Sequence, residues 1–273
     1  MTFQPVLAST GLVGWQFLSR TADVQQQSHA RSPAITTALE RFREGVGSVQ
    51  SAQDLVSNRA VLEVVLGAYG LQDDLPNKFF IRKVMEDGTS SPEALSNRLA
   101  DPRYAALAEE LNFSEGRPAL LSSPEFLERL ETDFKRQRFE VAVGQQDVPL
   151  RLSLGLEREL GSLTERVKSA DAQWFAVMGN PPLRRVFEAA LGLPKEIGSL
   201  DIDQQLVVFR DRAEAKFGFS TPGEFNSPEA VEDLRRAFLV ASEATRPTSS
   251  PLLSLFNPQS SSVNILQSLY GNV

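Results

Sequence analysis

The chain has no cysteine and only one histidine, His29, in 273 residues. The first absence excludes disulfides, thiolate metal sites and cysteine nucleophiles. The second leaves any zinc or iron site to a single imidazole plus carboxylates, an unusual donor set. Serine-histidine-aspartate catalysis would depend on that same residue. Long hydrophobic runs are missing too, since no stretch reaches the ~18 apolar residues of a membrane span. The start, MTFQPVLASTGLVGWQFLSRT, has no basic residue ahead of its apolar part and so lacks the charged region of a secretory signal. Basic charge is scarce: 28 Lys and Arg stand against 35 Asp and Glu, for a net charge of −7. Nucleic-acid binding needs a basic face, so no nucleic-acid partner is expected. The glycine pairs Gly11/Gly14 and Gly45/Gly47 do not lie between a strand and a helix, and they match no phosphate-binding fingerprint.

Helix punctuation, by contrast, is dense. Asp101-Pro102, Ser91-Pro92-Glu93, Ser123-Pro124-Glu125, Asn180-Pro181 and Ser227-Pro228-Glu229 each pair an N-cap residue with proline at the first helical position. Gly70, Gly88, Gly144, Gly179, Gly192 and Gly218 each follow a helical stretch, where a left-handed stop is expected. Leu152, Leu156, Leu160, Leu163 and Val167 share one helical face, as do Phe126, Leu130, Phe134 and Val141. The segment LRLSLGL (150–156) alternates like a strand, but its stripe continues at helical spacing behind Asp147-Val148-Pro149. No hairpin or strand-helix-strand pattern emerges. The expected class is all-α, a multi-helix body with two similar helical units joined by long helices.

The two units are read from a repeat. NRAVLEVVLGAYGL (58–71) and NPPLRRVFEAALGL (180–193) align at a constant offset of 122, with Asn58/Asn180, Val64/Val186, Ala68/Ala190, Gly70/Gly192 and Leu71/Leu193 identical. A second helix follows each, over 75–88 and 201–218, and then SPEA recurs at Ser91 and Ser227. The expected organisation is an apolar N-terminal segment (1–36), a helical body (37–243) with the repeat at about 51–113 and 171–243, and a flexible tail (244–273).

The remaining chemistry-bearing residues have plain structural readings. His29 is expected in a loop, exposed and without function. Asp73-Asp74 and Asp201 read as helix caps. For Asp73-Asp74, Glu109-Glu110 and Asp201/Asp203, a hydrolase would need two carboxylates facing each other across a cleft, and helix capping explains the acidic pairs more simply; LDIDQQL lacks the ligand spacing of a calcium loop. Lys135-Arg136-Gln137-Arg138 and Arg184-Arg185 read as solvated helix faces. Trp15 and Trp174 read as core or interface anchors. No catalytic, cofactor or metal set is found. The two ends are apolar: GLVGWQFLSRT at the start, and a tail with the islands LLSLF and ILQSLY and a single charge, Arg246. Such ends are usually poorly ordered, or they dock on a partner or on the protein's own groove. The candidate partner-binding residues are Trp15, Phe17, Leu255, Phe256, Ile265, Leu266, Leu269 and Tyr270.

GLVGWQFLSRT, NRAVLEVVLGAYGLQDDLPNKFFIRKVMEDGT, NRLADPRYAALAEELNF, GNPPLRRVFEAALGLP and LDIDQQL together resemble an alphaproteobacterial family known as domain of unknown function 1217. The resemblance covers about residues 10–243, and LQDDLPNKFFIRKVMEDGT is its most distinctive part. It implies an all-helical fold and, because members tend to be encoded among flagellar genes, a link to the flagellum. It carries over no catalytic residue. The expectation is a non-enzymatic flagellum-associated structural or assembly protein acting through protein-protein contacts. The alternatives are an export chaperone-like binding module and a cytoplasmic carboxylate-based enzyme working in a cleft between the units. The expected location is the cytoplasm, or export with the flagellum without a cleavable signal. The oligomeric state is left open.

Overall fold

The computed structural model describes residues 3–114, 116 and 118–246. Among them every regular element is a helix, and no strand forms. After a strap over residues 3–10 come α1 (Gly11–Ala30), α2 (Pro33–Val46), α3 (Ala52–Ser57), α4 (Arg59–Ala68), α5 (Lys78–Asp87), α6 (Leu95–Arg98) and α7 (Pro102–Glu110). Two long helices, α8 (Pro124–Gly144) and α9 (Val148–Arg166), lead to α10 (Ala170–Gly179), α11 (Pro181–Leu191), α12 (Ile202–Phe217) and α13 (Pro228–Ala244). None of these is long and apolar enough to cross a membrane.

The caps lie where the sequence places them. The side chains of Asp101, Ser123, Asp147, Asn180 and Ser227 accept the backbone N–H groups of Arg103, Phe126, Leu150, Leu183 and Ala230. Each satisfies an otherwise orphaned donor and contributes about 1 kcal/mol. Ser91 differs. Its hydroxyl accepts the Glu93 N–H within a turn, and α6 begins only at Leu95. The Asn97 amide holds that turn by donating to the carbonyls of Thr89 and Ser91, 2.8 Å each. Asp74 is no cap either: α5 starts behind Asn77, and the Asp74 carboxylate accepts from Tyr104 Oη (2.5 Å) and Asn77 Nδ2 (2.9 Å). Asp201 precedes α12 without a side-chain cap bond. Gly192 and Gly218 end their helices in the left-handed conformation as expected and Gly70 takes positive φ, whereas Gly88 pairs positive φ with an extended ψ of −146°, and Gly144 and Gly179 are the last helical residues without positive φ.

Burial divides into two cores. The first gathers Ile35, Leu39 and Phe42 of α2, the buried face of α4 and Ile81 of α5, and closes on Phe126, Leu130 and Phe134 of α8. The second begins on the same helix with Phe139 and Val143, and takes in Leu18 of α1, the leucine stripe of α9, Trp174, Phe187, Phe209 and Phe238. Helix α8 is therefore one rod with an end in each core. The Trp174 ring packs edge-on to Phe187 (5.4 Å), and its indole N–H reaches the Ser220 carbonyl at 2.8 Å.

The N-terminal segment differs from the expectation of poor order. Gly14 lets the Ser9 backbone lie where a Cβ would sit. The strap is then pinned by side-chain amides: Gln25 exchanges two hydrogen bonds with the Val6 backbone (2.7 and 3.1 Å), and Gln146 donates to the Pro5 carbonyl (2.7 Å). Phe3, Leu7, Leu12 and Trp15 pack on the second core, while α2 belongs to the first.

Candidate functional site

Where α8 passes from one core to the other, its inward residues turn polar. Asp133, Arg136, Gln137 and Glu140 occupy that passage, α7 and α9 bring further charge to it, and the turn after α4 brings Tyr69. A cleft of about 240 Å³ results, lined by Tyr69, Arg103, Glu110, Arg136, Arg158 and Arg166 among others. A narrower hollow continues from it along Gln137, Glu140, Gly155 and Leu183, and the two share Arg103, Gln137, Arg158 and Glu159.

The guanidinium groups are held by carboxylates. Arg158 forks onto Glu140 (2.5 and 3.0 Å) and reaches Glu159 at 3.2 Å. Burial alone would lower its pKa, but the hydrogen bonds and negative charge of Glu140 outweigh that and raise it further. Arg103 spans Asp101 (3.1, 3.1 and 2.7 Å) and donates to the Gly70 carbonyl at 2.7 Å, which ties α7 to the end of α4. Tyr69 donates to Glu110 at 2.7 Å, and burial followed by the Glu110 charge pushes its hydroxyl well above the ordinary range. Burial pushes the Glu110 carboxyl up, yet bonds from Arg129 and Tyr69 win, and it ends below its ordinary value. The acids here are paired with cations or hydroxyls. A paired carboxylate held ionised serves as an anchor and is a poor proton donor at neutral pH. Among the described residues no three His, Cys, Asp or Glu side chains converge to hold a metal ion.

The paired asparagines behave differently here. Asn58 and Asn180 each sit as one extended residue between two helices and cap the second, at 3.2 and 3.0 Å. The Asn180 amide also donates to Glu159 in the cleft at 3.2 Å, while the Asn58 side chain lies against Gly45 of α2. The two do not converge on one pocket.

Several expected site residues are placed elsewhere. Trp15 is half-buried under the Arg235 guanidinium, 4.4 Å from its ring centre, and Arg235 itself donates to the Ser153 carbonyl (3.2 Å). Phe17 is half-buried on α1. Leu255, Phe256, Ile265, Leu266, Leu269 and Tyr270 lie outside the described residues. His29 is neither in a loop nor exposed. It closes the last turn of α1, buried between Phe3 (5.4 Å) and Phe139 (6.0 Å), because the folded-back strap covers it. The run 135–138 is no plain solvated face, since Gln137 is buried and Arg136 pairs with Asp133 at the cleft. Arg184 is likewise engaged, by Glu188 (2.7 Å) and Gln205 (2.9 Å). The cleft residues Arg103, Tyr69 and Glu140 were not singled out from sequence. Their one signal is a polar stripe at helical spacing on α9, Arg158-Ser162-Arg166, beside the leucine stripe.

The sequence profile of the family described as "Protein of unknown function (DUF1217)" matches residues 68–230, and the chain belongs to that family. The match takes in the whole cleft. The chain is also similar to a crystal structure of protein AGR_C_984 from Agrobacterium tumefaciens, with a TM-score of 0.70 and 26% identity, covering 89% of this chain and 98% of that one. No curated protein matches.

Proposed function

We propose that this is a non-enzymatic, flagellum-associated structural or assembly protein that works by contacting other proteins, on a helical scaffold that arose by duplication of one unit. The observation that carries the reading is how the charge in the inter-core cleft is used. Arg103, Arg158 and Arg129 are matched by Asp101, Glu140 and Glu110 on their own sides of the cleft, and Arg166 of α9 reaches Glu109 of α7 across it (2.6 Å), so the charge here is taken up in pairing. Two further features support it. The segment from 247 onward has apolar islands and no charged residue, a composition suited to burial against another surface. The resemblance to a family whose members tend to be encoded among flagellar genes supplies the flagellar part. The two asparagine corners, alike in backbone angles and capping bond, support the duplication.

The test is a clean deletion strain, read by swimming in soft agar and by electron microscopy of filaments, with the tagged protein used to capture partners. Reduced motility or defective filaments, restored by the intact gene, is the expected result. Normal swimming with intact filaments would end the flagellar reading.

A further inference from the structure

A second groove, of about 730 Å³, runs between α11 and α13. Ala189, Leu193 and Phe238 give it an apolar floor, and Arg185 and Lys195 stand on its rim. At the 122-residue offset, Leu62 and Leu66 of α4 are fully buried, while Arg59 and Glu63 line a separate hollow of about 480 Å³ against α2. On α11 the positions matching Leu62 and Leu66 are Arg184 and Glu188, an ion pair in the groove wall. One unit thus buries two helix positions that the other sets at the wall of a groove.

What lies next to the opening is the chain itself. Thr245 and Arg246 line the groove, and Arg246 is fixed by pairing with Asp147 and with Glu243 (3.1 Å). The next residues read PTSSPLLSLFNP, with Leu252 six positions beyond Arg246. Six residues span at most ~20 Å when extended, enough to return to a groove that begins at residue 245. A tether that short holds the segment at an effective concentration of about millimolar, ahead of any dilute partner. The segment carries no charge, so burying it costs no ion desolvation.

We infer that residues 252–256 (LLSLF) dock in the α11/α13 groove of their own chain and are withheld there from other proteins until a partner displaces them. This rests on the proposed function in one respect, that the apolar tail is the element partners contact. Three chains test it: the full chain, a chain ending at Arg246, and the full chain with Leu255→Asp and Phe256→Asp, which changes nothing in the described body. Amide exchange over residues 185–195 and 238–246 should be about tenfold slower in the full chain than in either variant. A synthetic peptide of residues 247–261 should bind the shortened chain at least about tenfold more tightly than the full chain, where the groove is taken. Ala189→Glu in the shortened chain should abolish that binding while leaving the helical circular dichroism intact. Because the peptide is uncharged, its affinity should be constant from about 50 to about 500 mM salt. Equal exchange in all three chains overturns the inference. So does affinity that falls with salt, which would assign the groove to an acidic segment of another protein. Protection that grows with protein concentration also overturns it, pointing to a second copy as the occupant. Partner capture and motility are separate readouts: captured partners without groove protection would sink this inference and leave the proposed function standing.

Discussion

At matched positions, α4 sets Leu62 and Leu66 where α11 sets Arg184 and Glu188. Both helices begin on a capping asparagine and end before a glycine with positive φ. They differ in surroundings. Helix α4 is apolar on nearly all sides, with Val61, Leu62, Val64, Val65 and Leu66 fully buried between α2 and α8. Helix α11 keeps the ordinary one-sided stripe of Leu183, Val186, Phe187 and Ala190. The same local instructions start and stop each helix, while burial decides whether it becomes the centre of a core or the wall of a groove. Gly67 shows the closeness on the first side: a Cβ there would come within 2.7 Å of the Phe134 ring, and its counterpart Ala189 faces open space in the groove.

The sharpest way to break this contrast is to truncate both members of one matched pair. Leu66→Ala should cost about 3 kcal/mol, from lost burial and the cavity left behind. Glu188→Ala should cost under ~1 kcal/mol, because its partner pair is partly solvated. Urea denaturation of both variants checks this. Equal losses would mean that the two faces are equally closed.

The residue before each asparagine gives the next largest difference. Gly179 is packed so tightly against Ala100 that a Cβ would collide with the Ala100 backbone carbonyl, whereas Ser57, its counterpart, is exposed. Gly179→Ala should destabilise by about 2–3 kcal/mol, since backbone must move to admit it, and Ser57→Ala should be nearly neutral. Thermal unfolding of the pair measures the gap.

The asparagines themselves should differ less. Asn58→Ala loses a cap, about 1 kcal/mol. Asn180→Ala loses the cap and also the hydrogen bond to Glu159 from a buried position, about 2 kcal/mol in all. A double-mutant cycle of Asn180 with Glu159 should then show coupling, and no such partner exists for Asn58 in the cleft.

How far the sequence carried is visible in these same residues. The caps at Asn58, Asp101, Ser123, Asp147, Asn180 and Ser227 were legible because capping is local: residue type, proline and apolar spacing lie within one turn of each other. The leucine stripe of α9 was legible for the same reason. The cleft was not, because Arg103, Glu140 and Arg158 meet only when three helices converge, and a charged residue on a helix reads the same whether it faces water or another helix. Ser91 misled because the side-chain hydrogen bond that starts a helix also closes a turn. His29 misled because its burial depends on the strap over residues 3–10, whose return path is set by Gly14 and Gln25 rather than by any signal beside the histidine.

His29 also gives the smallest expected effect and confines it to one side of the molecule. Burial first, and then the charge of Arg138, hold its imidazole below the ordinary value of 6.5. The unfolded chain therefore binds a proton at pH values where the fold refuses it, so stability rises with pH across that window. The contribution of the neutral imidazole is complete above about pH 6.5 and is lost as pH falls below it. Glu110, held below its ordinary 4.5, begins to lose its contribution only as pH falls below that value. The urea midpoint should decline from pH 7.5 to pH 5.5 in the native sequence and stay level in His29→Leu. Because the imidazole touches Phe3 and Phe139, at the edge of the second core, amide exchange in α1 should quicken on acidification while α2 and α4 in the first core hold steady. If α4 opened together with α1, the rod of α8 would be transmitting the loss, and the two cores would be one cooperative unit.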